Sequence, residues 1–163
     1  MIPDILKFTI ATDHLNIMHE LTWILVNMTS ISNEEVILEL IDMNKNGNYD
    51  VIGYLLDMAS QSTFSLKEQS MWALANLCQE DQRILQLIAE SQILNDISNT
   101  INSSKVKVGL VRQIAFLMAQ LMKYKHKTKE MIEISIEILS SILFFTDFDV
   151  VADCCYAFMN FTI

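Results

Sequence analysis

The stretch Glu68-Gln-Ser-Met-Trp72-Ala-Leu-Ala-Asn76-Leu77 decides how this chain is read. It holds neither Gly nor Pro, and Ser65 and Glu68 have the spacing of a capping box, so a helix running to about residue 79 is expected. On that helix Trp72 and Asn76, four residues apart, share a face, and Gln69 lies one turn before the indole near the same face. The pattern of an aromatic, three mostly apolar residues and a carboxamide recurs as Trp23 with Asn27, Phe116 with Gln120 and Tyr156 with Asn160. A polar residue stands three positions before each aromatic: Glu20, Gln69, Gln113 and Asp153. The aromatic positions 23, 72, 116 and 156 are 49, 44 and 40 residues apart. Helical repeats of roughly 40–47 residues have this period, the first interval being lengthened by a polar insertion around 44–48.

Outward from that stretch the chain reads as about ten helical segments and no strand. Helices are expected over about 3–10, 14–28, 34–43, 49–59, 82–89, 91–101, 105–124, 129–145 and 149–162, with Pro3 suited to a first turn and Ser32 and Glu35 forming a second capping box. One Pro and three Gly in 163 residues are too few for the turns of a sandwich or barrel. The fold expected is an all-α, right-handed superhelical solenoid of about four repeats. Its single domain spans 1–163, with a partial repeat over 1–30 and repeats over about 31–80, 81–125 and 126–163. Each layer has an apolar face it cannot bury alone, so the layers must stack.

Composition narrows the function classes. Apolar residues make up 52% and charged residues 19%, which argues against disorder. A formal charge of −9 repels phosphate backbones, so nucleic acid is a poor partner and a basic peptide or protein a better one. Cys78, Cys154 and Cys155 lie in apolar helical contexts with no C-x-x-C pair, so buried free thiols in a reducing compartment are expected. No secretory signal and no apolar run of roughly 20 residues is visible, so no membrane partner is expected. No constellation for catalysis is present, and the chain reads as a non-enzyme without a cofactor. Asp42, Asn44, Asn46 and Gly47 imitate the start of a calcium loop, but its twelfth position is Gly53 instead of a bidentate Glu, so no metal site is assigned. The basic run from Lys123 to Lys129 reads as a solvated loop.

The repeated pattern has a chemical use. An extended peptide needs partners for its backbone N–H and C=O groups, and an Asn or Gln side chain offers one donor and one acceptor group. Slots between successive aromatic rings would take the apolar stems and cationic heads of Lys or Arg, each contact being worth on the order of 0.5–2 kcal/mol. Carboxylates at Glu20, Glu80, Asp81 and Asp153 would add attraction. For any one aromatic, core packing is the simpler reading. Four pairs in register ask for more, because Asn is not favoured in mid-helix.

At these residues the sequence resembles importin-α (karyopherin-α). The match is close over 68–77 and weaker in Leu21-Thr-Trp-Ile-Leu-Val-Asn-Met28 and Val151-Ala-Asp-Cys-Cys-Tyr-Ala-Phe158, while Met1-Ile-Pro-Asp-Ile-Leu6 is similar to the start of a family second helix. The resemblance covers about the second through fifth armadillo repeats of that family. It implies a nuclear import receptor, in cytoplasm and nucleus, that binds basic nuclear localisation signals of cargo proteins in a concave groove. Its peptide-binding residues would be Trp23, Asn27, Gln69, Trp72, Asn76, Glu80, Gln113, Phe116, Gln120, Asp153, Tyr156 and Asn160. Glu80 stands where the family has an aspartate that grips a key lysine, and Ile31 where it has a glycine. Importin-β would be a partner only through a basic N-terminal segment outside this chain, and the ends of the repeat stack would expose apolar helix faces. The alternative is an armadillo scaffold that holds a protein partner through other surfaces, without signal-peptide binding.

Overall fold

Two stacked layers of helices follow from the positions of the apolar residues along the chain. The computed structural model describes residues 13–31, 35, 37–40, 50–60, 63–103 and 106–161. The eight helices with described bounds are α1 (Leu15–Ser30), α2 (Val51–Ser60), α3 (Phe64–Glu80), α4 (Gln82–Ala89), α5 (Ile93–Asn102), α6 (Val108–Leu121), α7 (Lys129–Ile142) and α8 (Phe148–Met159). Residues 35 and 37–40 are also helical. There is no strand among the described residues. The helix expected over 3–10, the Ser32 end of the capping box expected for the 34–43 helix, the 44–48 insertion and most of the calcium-loop look-alike lie outside them.

The long helices α1, α3, α6 and α8, which carry the four repeated pairs, pack side by side in chain order. On their other side α2 packs on α5 and α5 on α7, and the short α4 bridges α3, α5 and α6. Register produces this stacking. Leu25, Leu74 and Met118, each two residues after the aromatic, are fully buried, and Ala73, Leu117 and Ala157, one residue after it, are buried against a neighbouring layer. Long-range polar contacts pin the layers. Lys67 on α3 donates to the carbonyls of Ala59 and Ser60 at the end of α2 and to the Thr100 hydroxyl on α5. Thr22 of α1 pairs with the Tyr54 hydroxyl of α2 at 3.2 Å.

Helix starts are set by local chemistry, and one differs from its expected form. Asp81, Thr128 and Asp147 cap α4, α7 and α8, each side chain accepting from a backbone N–H of the first turn. The expected capping box at Ser65 and Glu68 does not form. The helix begins at Phe64, after Thr63 with no side-chain cap, because the apolar ring of Phe64 gains burial against the core. Ser65 is then already helical and exposed. Cys78 and Cys154 are buried free thiols as expected, whereas Cys155 is exposed, because it points off α8 away from the core side.

Candidate functional site

Trp23 and Trp72 come from adjacent layers and meet edge to face, with ring centroids 6.1 Å apart and planes at 70°. That is the favourable geometry for two aromatic quadrupoles. Trp23 is 44% exposed, and Trp72 is half-buried with one side packed on the core. The gap expected between successive rings is therefore closed at this pair. A cationic stem would be received across the outer ring faces instead of between the rings. Asn76, one turn on from Trp72, donates its carboxamide N–H to Thr29 Oγ1 (3.3 Å) and Ser30 Oγ (3.2 Å) at the end of α1. It stitches the two layers on the side where the indoles meet. Asn27 is exposed and turns its N–H back onto the Trp23 carbonyl, 3.0 Å away. Glu20 and Glu80, on the same two helices, are exposed. Gln69 is half-buried, with its Oε1 covered and without a hydrogen-bond partner among the described groups.

The other two positions are built differently. Phe116 is half-buried against the core, and Gln120, expected on the surface, is 95% buried, with 5% relative exposure. The ammonium of Lys123 covers it, donating to its Oε1. The same ammonium sits 5.4 Å from the centroid of the Tyr156 ring on α8. Tyr156 is 44% exposed, as open as Trp23, yet its face already holds a cation. Lys123 also lies close enough to Cys78 to oppose in part the burial that pushes that thiol up to about 12. Gln113 is half-buried. Asn160 donates to the Tyr156 carbonyl at 2.9 Å, repeating the geometry of Asn27. Asp153 is half-buried, and burial, with Asp149 beside it, raises its carboxyl above the usual range.

The basic run is only partly a solvated loop. Lys123 folds onto Gln120 and Tyr156, and Lys127 donates to the carbonyls of Met122 (2.8 Å) and Tyr124, placing a cation where α6 ends in unpaired carbonyls. Lys125 and His126 are exposed. The Lys123 role had no sequence signal of its own. It sits three residues after a carboxamide, a spacing that takes on meaning only once Gln120 is seen to be buried beneath it. Likewise Arg112 and Asp147, 35 residues apart, form a two-bond ion pair that ties α6 to the start of α8. Among the described residues no helix is long and apolar enough to cross a membrane, and no group of three or more His, Cys, Asp or Glu is placed to hold a metal ion.

Such an arrangement, with four long helices side by side and a second layer behind them, defines an armadillo-type helical solenoid. Solved structures with this fold include a designed armadillo repeat protein in complex with the peptide (KR)4, at TM-score 0.72 and 18% identity over 95% of this chain. Another match is a computationally designed armadillo repeat protein for modular peptide recognition, at TM-score 0.74 and 16% identity over 98% of this chain. The chain spans 62% and 64% of the length of those two proteins. No family model and no curated protein matches it.

Proposed function

We propose that this chain is a peptide-binding armadillo scaffold, whose ridge of long helices receives an extended Lys/Arg-rich segment at the Trp23–Trp72 pair. The observation that carries the reading is the indole pair itself. Two large aromatics from neighbouring layers keep ring surface in solvent, their layers stitched by Asn76, and the same two helices carry the exposed carboxylates Glu20 and Glu80. A half-exposed Trp leaves apolar area in water, and a cationic side chain laid on its face recovers that area and adds cation–π attraction of about 0.5–2 kcal/mol. The net charge of −9 steers cationic partners inward. A designed armadillo repeat protein of this fold is solved in complex with the peptide (KR)4, which supports a cationic peptide as partner. In its finer form the reading is an importin-α-like receptor for nuclear localisation signals, working in cytoplasm and nucleus.

Fluorescence anisotropy with a labelled Lys/Arg-rich peptide tests it. Saturable binding that weakens with added salt and falls about tenfold in Trp72→Ala supports the proposal, since that change removes a ring without altering charge. Absence of saturation up to about 1 mM peptide, a free energy near −4 kcal/mol, rejects it for a sample that retains its helical circular dichroism. The scaffold reading then stands. One observation already favours that second reading for part of the surface, namely that Gln120 and Tyr156 are occupied from within the chain.

A further inference from the structure

Lys123 leaves the end of α6 and places its ammonium on two groups of the repeated pattern at once, the carboxamide oxygen of Gln120 and the ring face of Tyr156. No ion pair with a carboxylate is seen for it among the described residues. These two groups are the ones a bound lysine would use, an acceptor for its N–H and a π face for its charge. At the equivalent place near α1 and α3 no such cation is seen among the described residues. The position three after Asn27 is Ser30, which accepts from Asn76, and the position three after Asn76 is Gln79, which is exposed. The two halves of the ridge share a register, and among the described residues only the C-terminal half has a cation seated on its repeated groups.

We infer that Lys123 is an intramolecular pseudo-ligand that fills the Gln120–Tyr156 subsite and confines recognition of basic peptides to the Trp23–Trp72 end. The inference rests on the peptide-binding reading above. An external cation gains nothing at Tyr156 until it displaces a tethered one, which competes at high effective concentration. Packed helices stand about 8–10 Å apart, so Tyr156 lies two layers, or roughly six extended residues, beyond Trp72. A long basic peptide therefore gains little over a short one while Lys123 is in place.

Two measurements test this. The first needs no peptide: the ε-methylene protons of Lys123 should be shifted upfield by the Tyr156 ring current and return toward ordinary values in Tyr156→Leu. Unshifted protons overturn the inference whatever the peptides do. The second is anisotropy with Lys/Arg peptides of about four and about ten residues, on the unsubstituted protein, Lys123→Met and Lys125→Met. Lys123→Met keeps the apolar stem and removes the charge, and Lys125→Met is an exposed control with the same charge change. The expected result is that Lys123→Met tightens the long peptide about fivefold and the short one by less than about twofold, with Lys125→Met changing both equally and little. Equal effects of the two substitutions, or no gain for the long peptide, overturn the inference while leaving short-peptide binding, and so the proposed function, standing. Failure of every protein to bind either peptide overturns both.

Discussion

The first and last aromatic positions of the ridge are equally exposed but differently engaged. Trp23 and Tyr156 each show 44% of their surface. Trp23 leans its ring on another ring, Trp72, and Tyr156 carries the ammonium of Lys123. Their own carboxamides, Asn27 and Asn160, turn back onto their own helices alike, and the contrast lies in Gln120 of the preceding layer, which is buried beneath the same lysine. A repeated sequence pattern thus fixes where a group stands, while its availability depends on what neighbouring layers put against it. Among the described residues no cation lies on the aromatic faces of the N-terminal end, whereas the C-terminal end has its cation built in.

The largest effects should show that the halves share one core. Leu74→Ala and Met118→Ala, both fully buried two residues after the aromatic, should each cost about 2–5 kcal/mol in denaturant unfolding. A cost confined to one half would mean that the layers do not unfold as one stack. The carboxamides come next and should separate the halves. Gln120→Ala removes the acceptor from a partly buried ammonium and leaves a hole, a loss of about 1–3 kcal/mol. Asn27→Ala should stay within about 0.5 kcal/mol of the parent, because it loses one exposed bond to its own helix and gains helix propensity. Equal costs would break the comparison.

Binding should divide along the same line. Trp23→Ala should weaken a short basic peptide by about three- to tenfold, against less than about twofold for Tyr156→Ala, measured by anisotropy. The reverse order would put the working surface at the other end.

The smallest effects are those of pH, and two aspartates, Asp147 capping α8 and Asp153 within it, should act in opposite senses. The Arg112 guanidinium, helped by backbone N–H groups of α8, holds the Asp147 carboxyl below the usual carboxylate range. Its stabilisation is present above the unfolded value of about 3.9 and is lost as pH falls through the lower folded value. Asp147→Asn should therefore lower Tm at pH 7, with the gap to the parent closing as pH drops below about 4. Burial, with Asp149 beside it, raises Asp153. Its stabilising share is present below about 3.9 and is lost as pH rises through the raised folded value, so Asp153→Asn should raise Tm at pH 7 and lose that advantage in acid. Thermal melts between pH 3 and pH 7 by circular dichroism check both, and shifts of the same sign would remove the contrast.

Much of the architecture was legible without coordinates because helix and repeat leave period signals. The run of α4 was read at 82–89, where it is found, and the other helices with described bounds within a few residues of their ends. Those ends were less legible because caps compete with packing, as where Phe64 draws the start of α3 one residue ahead of Ser65. The candidate surface was legible as a set of residues sharing a register. What escaped was contact between layers: the touching indoles, the covered Gln120 and the 35-residue span from Arg112 to Asp147.

By itself the sequence determined an all-helical stack, because apolar residues recurring every three or four positions, almost without Gly or Pro, leave the backbone no other way to bury them. It also determined which side of each long helix carries the aromatic and the carboxamide, since i and i+4 share a face in any helix. Only the tertiary structure decided whether those groups face solvent, each other or the chain's own lysine. That depends on how far one layer reaches over the next, and Lys123 meets Tyr156 through the stacking of two helices, which no local spacing encodes.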